Sequence, residues 1–307
     1  MLAVYWGQNG YGAVDPNRAH WEKSLADTCA AKPHYDVVIL AFATQLAHGR
    51  NNETFIPEMN FGPHCHESAG ESNPYLLRCP ALAEGIRACQ EMGKKVLLSI
   101  GGAKGSTGLE SETEGTQAAE VAWNLFLGGS SPLRPFPGVT LDGLDLDLEA
   151  GNTAGSSNFV KAIRARMDGS GKKYWLTAAP QCPFPDAYLG PAPGRPLGDA
   201  LHAFDYLFVQ FYNNKGCGRG AVSAVTSSFA KWAELAKGGG PKILIGVPAA
   251  PHAASSGYLS REDLSQLVAE VHENEAFAGF MLWDASYDQN TFESSGTYGG
   301  FLKSLKL

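Results

Sequence analysis

Eight short runs with the character of β-strands recur along the chain, and most are apolar on both faces. They are LAVYW (2–6), DVVILAFAT (36–44), KKVLLSI (94–100), GVTLDGLDLDLE (138–149), KYWLTAA (173–179), DYLFVQFY (205–212), KILIGVP (242–248) and GFMLWD (279–284). A strand without a polar face has to be covered on both sides, which is the situation in a parallel sheet. Helical patterns separate most of these runs, among them ALAEGIRACQEMG, AAEVAWNLFLGG, NFVKAIRARM and REDLSQLVAEVHE. Alternation of this kind over 307 residues predicts an α/β fold, a closed (β/α)8 TIM barrel. The rival architecture, a doubly wound open sheet, would normally place a Gly-rich phosphate turn after its first strand. The turn found there, GQNGYG, lacks the G-x-G-x-x-G order, and GGAKGSTG after the third run lacks consecutive Gly-Lys-Ser/Thr. There is no internal repeat and no Ser/Thr/Pro-rich linker, and the Pro-rich CPFPDAYLGPAPGRPLG reads as a surface loop, so residues 1–307 are read as a single domain.

Within the fourth run, LDGLDLDLE sets Asp142, Asp145, Asp147 and Glu149 among leucines. Strand side chains alternate, so Leu144, Leu146 and Leu148 point one way and Asp145, Asp147 and Glu149 the other. Alternate residues sit about 7 Å apart, close enough for like charges to raise one another's pKa values. A buried acid network neutralised by Lys or Arg would be the structural explanation, but none of the other runs supplies an inward cation. In a barrel the C-terminal ends of the strands build the active site. Glu149 closes its strand and is best placed to meet a ligand, with Asp147 and Asp145 progressively deeper. The pattern therefore points to acid–base chemistry.

A formal charge of −7 argues against nucleic acid or an anionic membrane as the main partner, and a neutral ligand fits better. No apolar run approaches the roughly 18 residues of a membrane span, and no signal peptide is read in this chain because Met1 leads directly into LAVYW. Six cysteines, an even number without a C-x-x-C pair, lean towards disulfides and an oxidising compartment, although six allow fifteen pairings. His64-Cys65-His66 lacks a matching ligand cluster elsewhere, so no metal site and no cofactor are expected. Asn52-Glu53-Thr54 is a glycosylation sequon, which agrees with secretion.

The pattern D-x-x-D-x-D-x-E at Asp142, Asp145, Asp147 and Glu149 resembles the signature of family 18 glycoside hydrolases, the chitinases. Tyr5-Trp6-Gly7-Gln8-Asn9, Ser99-Ile100-Gly101-Gly102, AAPQCPFPD (178–186), QFYNN (210–214) and Met281-Leu282-Trp283 are similar to the plant-type class III branch and its secreted fungal relatives, and NPYLLRCP (73–80) looks closer to the fungal ones. The resemblance implies a secreted, monomeric endochitinase acting on the β-1,4 linkages of chitin or chito-oligosaccharides with retention, through an oxazolinium ion formed by the substrate's own acetamido group. It implies Glu149 as the acid, Asp147 as the holder of the acetamido group, Asp145 as its proton partner and Tyr212 as a donor to the acetamido oxygen. Trp283 would floor the reacting subsite, and Gln210, Gln181, Tyr5, Gln8, Gly101, Met281 and Asn213 would line the substrate path. Trp21, Trp123, Trp175 and Trp232 read as packing. Relatives suggest the pairings Cys29–Cys89, Cys65–Cys79 and Cys182–Cys217. Only about thirty residues separate the seventh and eighth runs, too few for the extra α+β lobe of bacterial-type members, and that favours a shallow cleft and internal cleavage. A barrel of the same kind serving as a lectin-like or inhibitor protein is the non-enzymatic alternative. N-glycan cores and peptidoglycan are alternative substrates, because both carry the acetamido group.

Overall fold

A computed structural model describes residues 1–32, 34–51, 54–293 and 296–305; the sequon asparagine, Asn52, lies outside them. The strands of the main sheet are β1 (Leu2–Trp6), β2 (Val37–Asn51), β3 (Thr54–Met59), β4 (Lys95–Gly102), β5 (Gly143–Leu148), β6 (Trp175–Ala178), β7 (Tyr206–Gln210), β8 (Lys242–Pro248) and β9 (Phe277–Trp283). All but β3 pair in parallel, in the order β1-β9-β8-β7-β6-β5-β4-β2, and β2 pairs with β1 to close the ring. The fold is the (β/α)8 barrel. Its helices are α1 (Leu25–Ala31), α2 (Pro80–Glu91), α3 (Glu112–Phe126), α4 (Ser156–Asp168), α5 (Pro196–Asp199), α6 (Val222–Leu235), α7 (Arg261–Val271), α8 (Ala285–Asn290) and α9 (Tyr298–Ser304).

Burial on both strand faces divides the apolar side chains into two layers. Leu144, Leu146 and Leu148 belong to the outer layer, with Phe159 and Ile163 of α4. The barrel interior is a separate cluster that includes Tyr5, Ile39, Leu97, Phe208, Leu244 and Met281. Serines start three of the helices: Ser24 and Ser111 accept from the amides of Asp27 and Glu114, and Ser260 makes a reciprocal capping box with Asp263. Between β8 and β9 the chain forms α7 and no extra lobe.

Two strand boundaries differ by five residues or more from those read in the sequence. The second strand does not end near residue 44; β2 runs on to Asn51 and folds back through β3 as an antiparallel arm with register shifts. Residues 45–51, QLAHGRN, carry no apolar period, and backbone pairing to β3 and to the loop at Ser106 holds them extended. The strand of the fourth run, β5, begins at Gly143 rather than at 138. Before it, the Arg134 guanidinium takes the Val139 carbonyl (2.8 Å) and Gln90 Nε2 takes that of Thr140 (2.9 Å), so these groups are satisfied by side chains.

Three disulfides join Cys29 to Cys89, Cys65 to Cys79 and Cys182 to Cys217. The first links α1 to α2, and the last ties the loop after β6 to the loop after β7.

Candidate active site

Register puts the neighbours of the acids in place. In parallel strands, residues directly opposite each other face the same way, and β5 sets Asp145 opposite Ser99 on β4 and Thr177 on β6. Both hydroxyls reach it: Ser99 Oγ donates to Asp145 Oδ2 at 2.7 Å and Thr177 Oγ1 to Oδ1 at 2.6 Å. Tyr5 on β1 reaches across the interior and donates its hydroxyl to Oδ2 at 2.7 Å. Asp147 stands opposite Gly101, where φ is +113° and an added Cβ would lie 2.1 Å from the Asp147 carbonyl oxygen, so β4 approaches too closely there for any side chain. Gln210 on β7 donates Nε2 to Asp147 Oδ1 (2.8 Å) and to the Ala179 carbonyl (2.9 Å). Gln181 donates Nε2 to Glu149 Oε2 at 2.7 Å.

Burial falls along the ladder: Asp145 is fully buried, Asp147 nearly so, and Glu149 is partly exposed at the C-terminal mouth of the barrel. Burial is the largest effect on all three and raises each above its ordinary value. Asp145 is pulled back by its three hydroxyl donors. Asp147 goes up furthest, because the charges of Glu149 and Asp145 add to burial and only Gln210 opposes them. Asp147 and Glu149 also act on each other in opposite senses, Glu149 raising Asp147 and Asp147 lowering Glu149, so the two titrate as a pair. Tyr212, just past β7, is buried and raised well above the usual phenol by burial, then by the charges of Asp147 and Glu149; its hydroxyl stays a donor.

The upper rim is aromatic. Trp283, at the end of β9 and partly exposed, stacks near-parallel on Phe42 (centroids 6.1 Å, 22°) and leans on Tyr5 (5.6 Å). Gln8 spends its amide group on the carbonyls of Ala41 (2.8 Å) and Asn60 (3.0 Å), which fixes the β1 loop beside Phe42.

The residues expected along a substrate path therefore separate. Glu149, Gln181, Trp283 and Gln8 keep exposed surface. Tyr5 and Met281, expected to touch a ligand, are 1% and 0% exposed; Tyr5 serves Asp145 and Met281 fills the barrel interior. Asn213 has its Oδ1 occupied by the amide and hydroxyl of Ser255 (2.8 Å each) and braces a loop. Asp142 stands apart from the ladder, accepting from Gln90 (2.9 Å) and the Val96 amide (3.0 Å) near Lys95 and Lys172. Cys65 is in a disulfide, and His64 lies on Glu22. Among the described residues no three His, Cys, Asp or Glu side chains converge as metal ligands.

Sequence reading missed three contributors. Phe42 was hidden in an apolar strand. Thr177 was legible through register, as the inward residue opposite Asp145. Asp186 accepts the Gln181 amide (3.1 Å) and those of Tyr188 (2.8 Å) and Leu189 (2.6 Å), so it shapes the loop that presents Gln181 to Glu149.

Residues 1–259 match the family described as "Glycosyl hydrolases family 18". Chitinase 1 of Rhizopus niveus is 39% identical over 95% of this chain, which spans 56% of that protein's length. An acidic endochitinase of Nicotiana tabacum is 38% identical over 94% of this chain and 88% of its own. The crystal structure of a chitinase from Ipomoea carnea superposes with a TM-score of 0.78 at 31% identity, covering 98% of both chains.

Proposed function

Because the chain belongs to the glycosyl hydrolases of family 18, we propose that it is a secreted endochitinase that cleaves β-1,4 linkages between N-acetylglucosamine units with retention, using the substrate's acetamido group as nucleophile. The observation that carries this reading is the ladder itself: three carboxylates on one inward face, rising from buried Asp145 to partly exposed Glu149, whose hydrogen-bond donors among the described residues are hydroxyls and amides rather than cations. Glu149, the exposed member, gives its proton to the glycosidic oxygen as the C1–O bond breaks. The acetamido oxygen closes on C1 to form an oxazolinium ion. Water then adds to C1 from the face the leaving group vacated as the bond from C1 to the acetamido oxygen breaks, giving its proton to Glu149, restoring the acetamide and leaving a β product.

Asp147 is poorly suited to attack the sugar itself, since it is buried below Glu149 and held by Gln210. It is well suited to accept from the acetamido N–H and to carry negative charge as the ring closes. Asp145, raised by burial yet gripped by three hydroxyls, shares the proton that this shift displaces. Tyr212 donates to the acetamido oxygen, and the Trp283 ring on Phe42 offers an apolar plane to the C–H face of the sugar. The direct connection between β8 and β9, without an added lobe, supports a cleft that admits the middle of a polymer. The names of the Rhizopus and tobacco relatives point to the same substrate.

The test is product profiling on a fully acetylated chitin hexamer beside its deacetylated counterpart. Internal cuts in the first and none in the second are expected. Equal cleavage of both would remove the acetamido nucleophile, and binding without cleavage would make the barrel a lectin-like protein.

A further inference from the structure

A second pair of acids lies under the loop after β1, and the proposed chemistry does not use it. Glu22 has a fully buried side chain whose Oε2 accepts from the amides of Gly7 (2.9 Å) and Asn9 (3.1 Å) and contacts His64 Nε2 (2.9 Å). Its own amide returns to Asn9 Oδ1 at 2.8 Å. Asp284 directly follows Trp283 and is 1% exposed; its Oδ1 accepts from Ser286 Oγ (2.5 Å) and the Tyr287 amide (3.2 Å), while Ser286 Oγ in turn accepts from the Tyr11 amide (2.9 Å). One hydrogen-bonded chain thus runs from the β1 loop to the turn carrying Trp283. The second oxygens, Glu22 Oε1 and Asp284 Oδ2, are buried without a partner in hydrogen-bond geometry. The amides of Ser286 and Gly10 give the two carboxylates looser support.

Among the described residues, the groups that pull Glu22 and Asp284 down are amides and the Ser286 hydroxyl rather than cations. His64 is pressed on the Trp6 ring (4.2 Å), and burial holds its imidazole down at about 4. From the α8 side the facing groups are Tyr287 and Asp288, and Asp288 is itself occupied by Tyr35 (2.5 Å), the Gly299 amide (2.6 Å) and His34, with the Lys32 charge acting on it. Tyr35 feels Glu22, Asp284 and Asp288 together, Tyr11 meets the Tyr287 ring, and Tyr212 feels the Asp284 charge. Burial raises Glu22 to about 8; burial and then the charge of Glu22 raise Asp284 to about 7.

We propose that Glu22 and Asp284 are positioning residues: while at least one of them is protonated they bind the Gly7–Gly10 loop, which carries Gln8, to the turn that carries Trp283, and when both ionise they force these two walls of the cleft apart. Sugar affinity then falls on the alkaline side while Glu149 is untouched. The sugar-binding part rests on the functional reading above; the tie between the two walls does not.

The experiment uses the Glu149→Gln protein, which binds without turnover, and titrates a chitin tetramer by calorimetry from pH 6 to 9, with and without Glu22→Gln. With Glu22 present the Kd is expected to rise at least about five-fold over this range. Glu22→Gln keeps the shape and cannot ionise, so it should hold the rise below about two-fold; Asp284→Asn should do the same. An equal rise in all three proteins overturns the proposal. Melting temperature over pH 5 to 9 is the readout independent of sugar. Raised carboxyls mean that the native state holds protons the unfolded chain has lost, so stability falls as pH climbs through about 7 and 8. Either variant should flatten that fall, and superimposable melting profiles would overturn the proposal even without an oligosaccharide. Failure of the Glu149→Gln protein to bind the tetramer at pH 6 would sink the functional reading instead.

Discussion

Residues 142 to 149 hold carboxylates in two opposite settings. Asp142, just before β5, lies at the N-terminal end of the barrel, where Lys95 and Lys172 stand 3.7 and 3.6 Å away and the Val96 amide and Gln90 fill its other oxygen. Asp145, Asp147 and Glu149 climb towards the C-terminal mouth, and hydroxyls, amides and one another are their partners. The lower acid is neutralised by cations and satisfied as a carboxylate. The upper acids have no cation among their hydrogen-bond partners in the described residues, and burial raises all three. One end of the segment is held by ion pairs and the other carries the raised acids at the mouth where the proposed chemistry needs a proton source, the division of labour expected between the two faces of a barrel.

Glu149→Gln should widen that contrast most. It removes the proton donor and keeps the Gln181 contact within reach, so kcat should fall about 10³–10⁴-fold with oligosaccharide affinity largely intact. Turnover at the wild-type rate would take Glu149 out of its role. Next, Asp147→Asn should lower kcat about 10²–10³-fold even though Glu149 remains, because an amide cannot carry the charge that ring closure places there. Tyr212→Phe should lose about 10–10²-fold, measured as kcat on the same oligomer, since one neutral hydrogen bond to the acetamido oxygen disappears. Asp142→Ala should be the mirror image: turnover per folded molecule unchanged, and unfolding in denaturant easier by about 1–3 kcal/mol, the loss that follows when the Val96 amide and Gln90 are left without their acceptor. A large kcat effect from Asp142→Ala would erase the distinction between the two ends.

Much of this was open to inspection in the sequence, for physical reasons. The β5 acids were legible because period-2 alternation fixes which residues share a face, and the barrel because parallel strands are apolar on both sides. The β2–β3 arm was not, since QLAHGRN has no apolar period and is held by its pairing to β3. Tyr5 and Met281 sit in motifs beside the cleft, but sequence gives no depth, and both prove to be interior. Glu22 and Asp284 are about 260 positions apart and act on each other only because the ring closes and brings β1 beside β9.

The central claim is that the outer acids deliver a proton while the sugar supplies its own nucleophile. Proton NMR on freshly added chitin oligomer, recorded before mutarotation, reads this directly. The account predicts that the new reducing ends appear first as the β anomer, and an initial α anomer would contradict it.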